Sequence, residues 1–75
     1  MTYFKLGLYQ HYKDKMYEVV GLAHQSETLE DIVVYRAFYD SPAFGKRSLW
    51  VRPRKIFEEK VIIDGKKVDR FAFIT

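Results

Sequence analysis

Residues 16–40 read MYEVVGLAHQSETLEDIVVYRAFYD. Two apolar runs, Met16–Ala23 and Ile32–Tyr39, flank the polar stretch His24–Asp31. Both runs are rich in β-branched and aromatic residues, which predicts strands. A period of two puts Tyr17, Val19, Gly21 and Ala23 on one face of the first strand. Glu18, Val20, Leu22 and His24 fall on the other. Gly21 in mid-strand predicts a bulge or sharp bend of the kind that lets small sheets turn a corner. SETLED is too short for a helix of consequence. As a helical turn it would have Ser26 as N-cap with Glu30 near the capping-box position; as a loop, Ser26 or Thr28 would cap its backbone. The fold is therefore read as β, and the flanking sequence extends it.

Before this stretch, Gly7–Tyr12 predicts a short strand and Lys13-Asp14-Lys15 a polar turn, since Asp tolerates turn geometry. After it, Asp40–Gly45 predicts a loop with Pro42 as breaker. Lys46–Arg52 predicts a fourth strand, with Ser48, Trp50 and Arg52 on one face and Leu49 and Val51 on the other. Pro53 suits the first position of a helix, where a missing N–H costs nothing, so Arg54–Glu59 predicts a single helical turn. Val61–Asp64 and Val68–Ile74 close with a hairpin at Asp64-Gly65. Short strands with turn signals every 8–12 residues predict one mainly β domain over residues 1–75. It is a small antiparallel SH3-like barrel of five or six strands with one short helical turn, and an OB-like barrel comes second. Closure would remove exposed sheet edges.

Composition limits what such a domain does. A 75-residue chain buries only about 60–65% of its unfolded surface. Aromatics at 17% supply the core, since each ring buries roughly 150–250 Å². The chain has no cysteine, which excludes disulfides and thiolate metal sites. No stretch approaches the roughly 20 apolar residues of a membrane span, and the N-terminus lacks a signal-peptide core. Cytoplasmic residence is expected. The net charge of +3 is uneven: residues 1–45 carry −2 and residues 46–75 carry +5. A basic C-terminal half can attract phosphates.

Several groups could carry chemistry. His24 and Ser26 share a face of an extended segment, as a hydrolase-like pair would need, while Glu27 points away from both. His11 and His24 with Glu27 or Glu30 could hold a metal if the strands bring the rings together. On an inward face Trp50 joins the core, and Arg52 snorkels or pairs with Glu27, since a buried arginine needs an acidic partner or an anion. On an outward face the same pair could stack a base. Tyr9, Tyr12, Tyr17, Tyr35 and Tyr39 could line a groove for an extended peptide or single-stranded nucleic acid. Lys46-Arg47, Arg54-Lys55 and Lys66-Lys67 read as solvated rims. Phe38 and Phe44 could form an exposed patch that self-associates.

The motifs GLYQHYKDKMYEVVGLAHQSET, VVYRAFY, WVRPRKIFEEKV and DGKKVDRF together resemble domain-of-unknown-function family 1653, a family of small bacterial proteins. The resemblance runs from Gly7 to Phe73. Asp14 stands where the family has a turn glycine, and Gln25 is inserted between His24 and Ser26. The resemblance implies a shared polar cluster at His11, Lys13, His24, Ser26, Glu27, Thr28, Tyr35, Arg36, Trp50, Arg52, Pro53 and Arg70, but no activity.

The expected function is a non-enzymatic binding module without a cofactor. His24, Ser26, Glu27, Thr28, Tyr35, Trp50 and Arg52 would take a polar small molecule, peptide or protein at one loop rim. The alternatives are single-stranded RNA binding by the basic half, and a small hydrolase-like or metal site at His24.

Overall fold

A computed structural model describes residues 4–41, 43 and 45–75. In chain order the elements are β1 (Gly7–His11), β2 (Met16–His24), β3 (Asp31–Ala37), β4 (Asp40–Ser41), β5 (Gly45–Lys46), β6 (Leu49–Pro53), α1 (Arg54–Phe57), β7 (Lys60–Ile63), β8 (Lys66–Asp69) and β9 (Phe71–Phe73). The main sheet is five-stranded and antiparallel, in the order β6-β3-β2-β1-β9. β4 pairs with β5, and β7 with β8, as separate ribbons. The domain is mainly β, as expected. Among the described residues no ladder joins the edge strands β6 and β9, so the sheet is open where a closed barrel would have a seam. It is nonetheless curled: the Arg52 guanidinium on β6 lies 5.6 Å from the ring centre of Phe71 on β9.

The concave face holds the core. Tyr9, Val19, Val33, Tyr35, Phe57 and Phe71 are buried together. α1 is a single turn, and its function is to deliver Phe57. That ring stacks on Phe71 at 4.1 Å and 6° and meets Tyr9 edge-on at 5.4 Å. Few residues can bury enough surface in so short a chain, and large rings with matched geometry fill that need. Pro53 is the N-cap and not the first helical residue, with φ −54° and ψ 138°. It still pairs with Ile32 as the last residue of β6. The helical turn stops at Phe57 and is capped by Glu58, shorter than the expected Arg54–Glu59.

The predicted bulge is present, and it reverses one expectation. The β2–β3 register shifts between Val19 and Gly21, leaving Val20 as the extra residue. Past the bulge Leu22 pairs with Val33 and packs against the core. One added residue turns every later side chain over. His24 therefore shares the parity of the inner face, opposite Asp31.

Other boundaries shift. The third strand ends at Ala37 and not at Tyr39. The fourth is broken after Lys46 by Arg47, whose φ is +47°, so β5 folds back on β4. The last strand is interrupted at Arg70: β8 stays with β7, while β9 crosses to β1. Asp64 and Gly65 take φ of +50° and +78°, as a tight hairpin turn requires. Gly7, at φ +132°, admits no side chain, because a Cβ there would lie 2.6 Å from the Thr75 carbonyl oxygen. Phe38 is exposed beneath the Arg47 guanidinium. Pro42 and Phe44 lie outside the described residues.

Candidate binding site

Cross-strand register decides which side chains meet. Arg52 pairs with the buried Val33, and Trp50 with the buried Tyr35, so both belong to the concave face. Trp50 packs against the core as a half-buried ring. The Arg52 Nε–H donates to the Tyr35 hydroxyl at 3.3 Å. Tyr17 stands beside them, edge-on to Tyr35 at 5.2 Å, with its hydroxyl 3.2 Å from that of Tyr39. His11 packs edge-on against Phe71 at 4.8 Å. Its Nδ1 accepts the Lys13 N–H at 3.2 Å.

The electrostatics of this group are one-sided. His11 is held below its ordinary value of 6.5, first by burial and then by the charges of Arg52, Arg70 and Lys13. Burial, followed by the bond to Tyr39, pushes the Tyr17 hydroxyl up, with Arg52 pulling the other way. Arg36, Arg54 and Arg70 each sit near a carboxylate, at 3.9, 3.2 and 2.9 Å. Arg52 has no acidic partner among the described residues. The anticipated pairing of Arg52 with Glu27 is not formed. Among the described residues, Ser48 Oγ and Arg70 Nε are buried with no hydrogen-bond partner.

The polar stretch that follows β2 is built differently. The Gln25 side-chain oxygen accepts the N–H groups of Glu27 and Thr28 at 2.6 and 3.1 Å. Thr28 Oγ1 accepts the N–H of Glu30 at 3.2 Å. Backbone bonds join Leu29 N to Gln25 O and Gln25 N to Glu30 O. Gln25, the residue inserted before Ser26, is thus the cap expected of Ser26. Ser26, Glu27 and Thr28 are exposed. His24 is 64% exposed, and its Nε2 lies 3.5 Å from Asp31 Oδ1, not against Ser26.

The other Asp31 oxygen accepts from Arg54 Nη1 at 3.2 Å. Arg54, expected at a solvated rim, is buried at 8% exposure. It also lies 3.3 Å from Glu58 and over the Phe4 ring. Between this turn and α1 is a cleft of about 550 Å³ lined by Thr28, Glu30, Asp31, Arg54, Lys55 and Glu58. It is a mixed-charge cleft whose arginine is already neutralised.

The seven predicted site residues thus divide. Tyr35, Trp50 and Arg52 come together on the concave face. His24, Ser26, Glu27 and Thr28 belong to the far turn. The structure adds His11, Tyr17 and Arg70 to the first group. His11 and Arg70 were signalled by the family motif, while Tyr17 was visible only as one of five tyrosines. The histidines stand apart. His11 is beside the β1–β2 turn, and His24 ends β2, nine residues long, which is roughly 25 Å of strand. No group of three His, Asp or Glu side chains among the described residues is placed to hold a metal.

A mainly β domain whose aromatic concave face carries Arg52 is the class that fold and site define. The chain belongs to a family described as protein of unknown function, DUF1653, which it matches over residues 7–73. The crystal structure of a protein of that family from Bordetella bronchiseptica is similar, with a TM-score of 0.82 and 35% identity over 95% of this chain and 87% of that one. No curated protein matches the chain. Among the described residues no helix is long and apolar enough to cross a membrane.

Proposed function

We propose that the domain is a non-enzymatic binding module that takes the acidic group of a polar ligand at Arg52. Its scaffold is an SH3-like barrel left open between β6 and β9. Tyr35 orients the guanidinium, Phe71 supports its face, and Trp50, Tyr17 and His11 form the surrounding wall. The carrying observation is the half-buried Arg52, which has no carboxylate partner among the described residues while nearby arginines have one. A cation withdrawn from water needs an anion or an oriented acceptor, and one tyrosine hydroxyl is a weak substitute. His24, Ser26, Glu27 and Thr28 flank the α1 cleft as a second rim.

The RNA reading has less support. Of the basic half, Arg54, Lys60 and Arg70 are paired with Asp31, Asp69 and Glu59, which dilutes a phosphate-binding stripe.

The test is a titration with glutarate followed by NMR at the Arg52 Nε–H. In the native protein that resonance shifts and saturates. Arg52→Gln weakens the affinity at least tenfold, as loss of a charge-assisted bond of about 1.5–3 kcal/mol requires. An Arg52 signal unmoved by glutarate and by inorganic phosphate ends the proposal.

A further inference from the structure

The edge of β6 carries more than Arg52. The Ala37 N–H donates to the Ser48 carbonyl at 3.0 Å. Antiparallel ladders alternate bonded and non-bonded pairs. The pairs Tyr35–Trp50 and Val33–Arg52 continue that register, so Trp50 and Arg52 bond inward to β3. Leu49 and Val51 therefore aim their N–H and C=O groups at the free edge. Pro53 has the same parity, and a proline there removes no ladder bond. The side chains alternate the other way. Trp50 and Arg52 face the concave side, while Leu49 and Val51 stand on the convex side at 56% and 65% exposure.

From this we infer that the free edge of β6 binds an extended acidic peptide as an added strand. The inference rests on the Arg52 reading and names the ligand's class. Backbone groups of Leu49 and Val51 pair with the peptide main chain, the general mode of strand addition at an open edge. Residues of the peptide on the concave side meet Arg52 and should be acidic. Residues on the convex side meet Leu49 and Val51 and should be apolar. The ligand is thus a segment in which acidic and aliphatic residues alternate. Charge complementarity selects this occupant over a second copy of the chain, since two β6 edges would bring like-charged Arg52 side chains onto one ribbon.

The experiment titrates isotope-labelled protein with a synthetic octapeptide alternating valine and glutamate. Glutarate, the same peptide N-methylated at alternate amides, a valine–lysine octapeptide and a uridine octanucleotide run in parallel. The octapeptide should bind at least tenfold more tightly than glutarate and protect the Leu49 and Val51 amides from exchange. N-methylation should weaken it at least tenfold, and the valine–lysine peptide should not bind. Val51→Pro removes an outward N–H without touching the β3 ladder. It should lower octapeptide affinity at least tenfold and leave the glutarate response intact. If that variant does not fold, the N-methylated peptide decides. Glutarate binding at Arg52 with no gain from the octapeptide overturns strand addition and leaves the anion site standing. Silence from both overturns both. Equal binding of the N-methylated peptide, tighter binding of the uridine octamer, or a dimer that protects Leu49 and Val51 without ligand also overturns it.

Discussion

The Gln25–Glu30 turn and the concave face around Arg52 are both dense in polar side chains, yet they use them in opposite ways. In the turn, Gln25 and Thr28 direct their oxygens to their own backbone, and Asp31 is shared by His24 and Arg54. Around the concave face the charges of Arg52 and Arg70 bear on His11, and among the described residues Arg52 meets the Tyr35 hydroxyl and the Phe71 ring but no carboxylate. In the turn, local polar density is accounted for by the backbone it caps. A loop must satisfy its own backbone groups first, and short polar side chains near them are the cheapest means. On the concave face, by contrast, the fold leaves the Arg52 guanidinium without a carboxylate among the described residues.

The largest effect that sharpens this contrast comes from the ring behind the concave face. Phe57 is almost fully buried and touches Phe71, Tyr9 and Tyr35. Phe57→Ala should cost about 3–5 kcal/mol, a large part of what a domain of this size has. Urea unfolding measures it. A loss below about 1 kcal/mol would mean the Arg52 face is not built on this plug, and that it could rearrange as freely as the turn.

How far this was legible from the sequence differs between the two regions. The turn is local, and its position between two β-patterned runs was plain. Of its two caps Thr28 was legible, while Gln25 was not, because a glutamine there imitates what serine usually does. The bulge at Gly21 was legible, but plain alternation groups His24 with Glu18 and Val20, and the extra residue moves it to the parity of Tyr17 and Val19. Trp50 and Arg52 on one face followed from alternation alone. What surrounds them depends on pairings distant in sequence. β9 crosses to β1 after a break at Arg70, and no local period reports that. Arg47 at positive φ, rare for arginine, likewise hid the break before β6. Arg54 looked solvent-facing beside Lys55, since its burial depends on Asp31 lying across the sheet.

A middle-sized effect separates capping from recognition within the turn. Gln25→Ala removes the acceptor of two backbone N–H groups and should destabilise by about 0.5–1.5 kcal/mol. Ser26→Ala, at an exposed side chain, should stay within about 0.5 kcal/mol. Neither should change glutarate affinity at Arg52. Thermal unfolding and the same NMR titration read both. A Ser26 variant that costs as much as the Gln25 variant, or that weakens glutarate, would join the two regions that the geometry separates.

The smallest effect is on pH dependence. His11 titrates below 6.5 in the folded chain, so as pH falls the unfolded chain takes up its proton first. Stability is therefore undiminished by this group above about pH 6.5 and declines as pH drops through that value. It levels off once the folded-state midpoint is passed. His11→Gln should remove that component of the decline. A carboxylate bound at Arg52 offsets the cations that hold His11 down, so saturating glutarate should move the His11 midpoint upward. By linkage, glutarate should then bind more tightly when His11 is protonated. Ring-proton NMR follows the residue directly. A His11 midpoint at or above 6.5 without ligand would show that neither burial nor the charges of Arg52, Arg70 and Lys13 act on it, and the electrostatic contrast with the turn would be lost.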